Sequence, residues 1–202
     1  MNFDKQTSHY GSGHQGEGIF PEMEFMRLSE DWKEGSRDPG QWGGAAADQP
    51  IFRQYLVHWA PQIRLEFWYR GKPISGSSGQ SFKEILSKKQ HLLSEEELRE
   101  IGEVIWHILS CQTQGHPEPP IDAAQAGPLR GRMVLLVRWQ NRREKRKFLS
   151  MYIDGEGDGR KVHEIHFSAP IDAYANNISL AQGAFRSIQW SSFSPPPGSS
   201  MD

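Results

Sequence analysis

The chain has 202 residues, a single cysteine and a formal net charge of −2. That length holds one domain with a substantial core, which needs neither disulfide nor metal for stability. The lone Cys111 excludes zinc ribbons and thioredoxin-like sites and favours a reducing compartment, while the near-neutral charge excludes a surface that tracks phosphate backbones along its whole length.

Residues 1 to 18 carry Gly11, Gly13, Gly16 and Gly18 and almost nothing to bury, so disorder is expected there. They hold no apolar run of the signal-peptide kind, and no later segment approaches the roughly 20 apolar residues of a membrane span. The expectation is a cytoplasmic protein without membrane contact.

From Ile19 to Trp32, Met23, Phe25, Met26 and Leu28 are interleaved with Glu22, Glu24, Glu30 and Asp31. This reads as a short helix or a linear segment on an arm, with Met23, Phe25, Met26 and Leu28 as the partner-binding residues. Gly35, Pro39, Gly40, Gly43 and Gly44 make the following stretch a flexible linker, so that 1–50 forms the arm, 51–190 the globular domain and 191–202 a disordered tail.

Ile51 to Trp59 is apolar and ends at Pro61, as either a short helix or a strand. Ile63, Leu65, Phe67 and Tyr69 then alternate with Arg64, Glu66, Trp68 and Arg70, the period of a strand with one buried face. Ser94 and Glu97 have the spacing of a capping box, with Leu93 and Leu98 in staple positions, and predict a helix start. From there Ile101, Gly102, Ile105, Ile108 and Leu109 gather on one side, so one helix running towards Cys111 is expected to sink against a sheet.

After a Pro-rich connection, Arg132 to Gln140, Lys147 to Asp154 and Lys161 to Ser168 read as three meander strands. The first is apolar on both faces and therefore central. Asp172 opens a second amphipathic helix along Tyr174, Ile178, Ala181, Phe185 and Ile188. The fold class expected is α+β: one domain with an antiparallel sheet, made of an N-terminal strand or hairpin plus the three-strand meander, packed against two amphipathic helices. The tetrapeptide Pro120-Ile121-Asp122-Ala123 recurs as Pro170-Ile171-Asp172-Ala173, and both copies are readable as helix starts. The order helix, three strands, helix is shared with double-stranded-RNA-binding domains. Asp172 to Asn177, however, holds no Lys or Arg where those domains carry their basic cluster, so that family is not assigned.

Three groups of residues bear on chemistry. Arg142, Arg143, Lys145, Arg146 and Lys147 form a basic hairpin tip suited to phosphates, with Trp139 at the strand end; the competing reading is a solvated turn that discourages edge pairing. Asp154-Gly155-Glu156-Gly157-Asp158-Gly159 has the oxygen spacing of half a calcium loop, but Ile165 stands where the bidentate Glu belongs, which leaves a glycine-rich turn. In His163-Glu164-Ile165-His166, Glu164 and His166 share one strand face while His163 points the other way; a third ligand would come from Asp154 or His107, and surface positions are the expectation.

No phosphate-loop, dinucleotide or nucleophile-elbow pattern occurs. The reading is a non-catalytic binding subunit or adaptor whose partner is another protein, with no cofactor and no metal. RNA or DNA binding through the basic hairpin is the alternative, and a hydrolase-type enzyme using Asp154, Glu164 and His166 is the third.

Overall fold

In the computed structural model, residues 15–17, 20–35, 51–69, 73–110 and 121–191 are described. Short strands β1 (Gln15–Glu17), β2 (Met23–Arg27) and β3 (Trp32–Glu34) precede a hairpin of β4 (Ile51–Val57) and β5 (Ala60–Tyr69). Helix α1 (Gly76–Ser87), strand β6 (His91–Leu92) and helices α2 (Glu95–Glu100) and α3 (Trp106–Ser110) follow. A four-strand meander, β7 (Ile121–Leu129), β8 (Arg132–Asn141), β9 (Arg146–Asp154) and β10 (Val162–Pro170), leads into α4 (Ile171–Ser187) and β11 (Gln189–Trp190). The α+β class expected from the sequence is the one observed.

The main sheet has eight antiparallel strands in the order β3-β4-β5-β10-β9-β8-β7-β6, and a second sheet runs β1-β2-β11. Both faces of the main sheet are covered. On one, Ile63, Leu65, Phe67, Val134, Met151 and Ile165 pack with Ala181, Phe185 and Ile188 at the end of α4 and with Met23 and Met26 of the small sheet. On the other, Leu135, Val137, Trp139 and Tyr152 meet Phe82 and Ile85 of α1 and Ile105 and Ile108 beside and in α3. The two-sided apolar pattern of β8 places it between β7 and β9, as a central strand requires.

Several expectations change. The helix expected to run unbroken from Ser94 is two short helices. The capping box is real: Ser94 Oγ accepts from Glu97 N at 3.2 Å, and Glu97 Oε2 accepts from Ser94 N at 2.9 Å. Lys88 Nζ, 2.7 Å away, and the Ser94 amide hold the Glu97 carboxyl down to about 2. But Ile101 leaves helical geometry, Gly102 N bonds back to Arg99 O and Val104 N to Ile101 O. The chain therefore turns at 101–105 and drives Ile101, Val104, Ile105 and Ile108 into the core, while α2 has no fully buried residue and packs through partly buried Leu98.

Helix α1 and strand β7, both absent from the sequence reading, enlarge the sheet and its cover. The repeated tetrapeptide has two structures: Ile121 starts a strand paired with β8, and Ile171 starts a helix. Register with a neighbouring strand overrides local sequence.

The segment expected as an arm is part of the core. Phe20, Met23, Met26, Leu28 and Trp32 are all buried. Alternation breaks between Met23 and Met26, opposite the register shift between Gln189 and Trp190 in β11, which is what a bulge does to a short edge pair. Met23 and Met26 fill the interior and so are not presented to a partner; Leu28 is also buried but borders a surface groove, and Phe25 stays half-buried. Cys111, residues 36–50 of the expected linker and 192–202 of the tail lie outside the described residues. Among the described residues no helix is long and apolar enough to cross a membrane.

Candidate functional site

The densest polar chemistry lies between the sheet and α3. Strand β10 sits between β5 and β9, so all of its residues except Pro170 are buried. Its face towards α3 carries Glu164 and His166. Register puts Tyr152 beside Glu164 and Ser150 beside His166 on β9, and Glu66 on the opposite side of His166 on β5. The turn at 101–105 brings His107 down over them.

The contacts form a continuous chain. Trp139 Nε1 donates to Ser150 Oγ at 2.8 Å, and Ser150 Oγ lies 2.7 Å from His166 Nδ1. His166 Nε2 is 3.0 Å from Glu164 Oε2, and His107 Nδ1 is 3.5 Å from the same oxygen. His107 Nε2 is 3.1 Å from Tyr152 OH. Aromatic rings enclose the group: Trp139 and Tyr152 lie with their centroids 5.6 and 5.8 Å from the His107 ring, and Trp68 stands edge-on to His166 at 6.0 Å.

Glu164 is 0% exposed and His166 nearly so. The surface positions expected for Glu164 and His166 are therefore overturned. A polar pair on an alternating strand reads as a solvent face, and only the cover from α3, far off in sequence, makes it interior. The shared face of Glu164 and His166 is as expected, and of the two alternatives for a third residue, Asp154 and His107, His107 is the one that lies beside them. Ser150 and Tyr152 escaped the sequence reading because only the β9–β10 register places them there.

Asp154 does not join this group. Its carboxylate accepts from Gly157 N and Gly159 N, both at 2.9 Å, closing the glycine-rich turn on itself. Burial pushes its carboxyl up, and those two amides offset part of that rise. The turn reading of 154–159 is the one its hydrogen bonds favour.

His163, on the opposite face, forms a second buried pair. Its Nδ1 is 2.7 Å from Glu22 Oε2, and Phe20 stacks on its ring at 4.5 Å. The N-terminal segment is thus fastened to β10 through a polar contact inside the core. Gly155 makes room for it, since a Cβ there would stand 2.7 Å from Glu22 Oε1.

The basic hairpin tip is only partly a charged surface. Arg146 Nη2 bonds to Gln62 O at 2.6 Å and Ser168 Oγ at 2.7 Å, and Lys147 lies 3.9 Å from Asp122. Arg142, Arg143 and Lys145 are exposed at the turn. Trp139 is buried and stacked on Phe148 at 4.0 Å, so it offers no platform to a base.

A groove of about 740 Å³ opens between the small sheet and α4. Phe25, Leu28, Leu180 and Ala184 give it an apolar floor, and exposed Arg27, Arg130 and Arg186 stand along it, with Glu30 and Asp31 at one end. Asp31 already accepts from Ser29 Oγ and Trp59 Nε1.

No family model matches the sequence, and no curated protein matches it. Among solved structures, the chain is similar to cyanobacterial PsbP (CyanoP) from Synechocystis sp. PCC 6803, determined in solution. The TM-score is 0.49 and the identity 12%, covering 83% of this chain and 86% of that chain.

Proposed function

We propose that the chain is a non-catalytic binding subunit that receives an acidic, partly apolar segment of a partner protein in the groove between β2 and α4. The observation that carries this reading is the pairing of an apolar floor with three exposed arginines in one cleft. Such a cleft takes apolar side chains as anchors and carboxylates at its rim, where opposite charge sets orientation and on-rate. Gly183 lies in the groove, and nothing stands within 4 Å of where its Cβ would be. A glycine inside a helix costs about 0.5–1 kcal/mol relative to alanine, and here it leaves a bare stretch of α4 backbone for a second chain to approach. Phe25 and Leu28, two of the four partner residues expected from the sequence, line the same groove; Met23 and Met26 support it from inside.

The test is a photo-reactive phenylalanine analogue at position 183, irradiated in the native host, with the cross-linked peptide mapped by mass spectrometry. The expected adduct is a segment of another protein bearing Asp or Glu beside apolar residues, lost when Arg130→Glu and Arg186→Glu are combined. An adduct within the chain itself, or one unchanged by charge reversal, would overturn the reading.

A further inference from the structure

We infer that His107, Glu164 and His166 form a binding site for one divalent transition-metal ion of the zinc class, contrary to the sequence expectation of no metal. The three donor atoms, His107 Nδ1, Glu164 Oε2 and His166 Nε2, all lie within 4.8 Å of one another. Two of the separations are 3.0 and 3.5 Å. An ion bound tetrahedrally at ~2.0–2.2 Å spaces its ligands by about 3.3 Å, so small side-chain shifts suffice to receive it.

The outer hydrogen bonds suit a metal as well as the inner distances do. Each imidazole turns one nitrogen towards Glu164 and the other towards a hydroxyl: His107 Nε2 to Tyr152 OH at 3.1 Å, and His166 Nδ1 to Ser150 Oγ at 2.7 Å. A ligating histidine needs its second nitrogen held in this way, because that bond fixes both tautomer and ring plane. With an ion present, His107 donates its Nε2–H to Tyr152 and His166 its Nδ1–H to Ser150, while Glu164 contributes the negative charge. Ser150 is itself held by Trp139 Nε1 at 2.8 Å. Without an ion, His166 Nε2 lies 3.0 Å and His107 Nδ1 3.5 Å from Glu164 Oε2, so receiving the ion requires each ring to present a lone pair on that side and carry its N–H on the hydroxyl side.

Imidazole with carboxylate and no thiolate selects Zn²⁺, Co²⁺, Ni²⁺ or Fe²⁺ over soft monovalent copper, and over calcium, which takes six or more oxygens. Three protein ligands leave a fourth position for water or a small anion. The His107 side chain, 20% exposed, marks the route by which ion and water enter.

The experiment titrates chelator-stripped full-length protein with Co²⁺, followed by visible d–d absorption, then with Zn²⁺ as competitor. One Co²⁺ per chain with the intense bands of four-coordinate cobalt is expected, displaced by one Zn²⁺. His107→Gln, at the partly exposed edge of the group, should abolish those bands, and Ser150→Ala should weaken binding about ten- to a hundredfold by releasing the His166 ring. Proton NMR of the cobalt-loaded wild type supplies an arm independent of variant folding: two paramagnetically shifted, exchangeable imidazole N–H signals are expected, from His107 and His166. No Co²⁺ uptake by the wild type, stoichiometric binding unchanged in a folded His107→Gln protein, or the absence of those two signals would overturn the inference. Partner cross-linking at position 183 is read separately, so either result stands without the other.

Discussion

Glu22 couples the N-terminal segment to β10 through a single side chain, and its titration reports on that coupling. Burial raises its carboxyl, but the close contact with His163, its own backbone amide and the charge of Arg132 together lower it by more, and the result lies below the ordinary 4.5. A carboxyl with a lower pKa in the folded chain contributes stability that is fully present above the unfolded value and is lost as the pH falls through the folded one. Wild type should therefore exceed Glu22→Gln in melting temperature at neutral pH, and the gap should close as the pH drops below about 4.5. Thermal melts of both proteins from pH 7 to pH 3 check this; a gap independent of pH would show that ionised Glu22 contributes nothing through its charge. His163 was legible as the residue facing away from Glu164 and His166. Its partner was not, because Glu22 is 141 positions earlier and no spacing rule joins the two.

Among the elements, glycines of opposite consequence sit in α4 and in the turn before β10. Gly159 has φ +76°, and a Cβ there would overlap the Gly79 carbonyl where α1 meets the turn; Gly183 has helical geometry and open space. Gly183→Ala should stabilise the fold by about 0.5–1 kcal/mol through helix propensity. Gly159→Ala should destabilise it by more than about 1 kcal/mol, since left-handed backbone and collision add. Urea denaturation of the two variants measures both; equal effects would contradict the assigned geometry. The same elements show where sequence was sufficient. The 3.6-residue period from Tyr174 to Ile188 and the Ser94–Glu97 capping box are local signals, and both survive in the structure. The break at 101–105 escaped because Ile101, Val104 and Ile105 have a spacing that fits a continuous amphipathic helix, with Glu103 on its polar side, as well as it fits the turn that buries all three. Strand β7 escaped because Pro120 and Pro128 look like loop residues, although Pro128 falls near the strand end and Pro120 just before it. Helix α1, with Gly76, Gly79 and three serines in its first two turns, has the composition of a loop; its hold comes from Phe82, Ile85 and Leu86 against the sheet.

The whole molecule is a sheet with two covered faces, and the covers differ in origin. One face takes α1 to α3 from the middle of the chain, whereas the other takes α4 together with β2, so that residues far apart in sequence close the same cluster. Ser187 Oγ accepts from Arg27 N at 2.8 Å, Ser191 N donates to Glu22 O, and Trp190 Nε1 donates to Leu129 O at 2.7 Å. The domain boundary at Ile51 expected from composition therefore predicts a stable fragment, and the packing predicts the reverse. Deleting residues 1–35 removes Phe20, Met23, Met26, Leu28 and Trp32 from the interior. Each fully buried side chain of this kind contributes about 1.5–3 kcal/mol, and five together match or exceed much of the ~5–15 kcal/mol by which a domain is stable. The fragment should lose its cooperative thermal transition and bind dyes that seek exposed apolar surface. A fragment melting sharply within a few degrees of the full chain would instead show that residues 36–202 fold without the N-terminal segment. It would also turn β1 to β3 back into an arm, leaving the groove on α4 with one of its walls detachable.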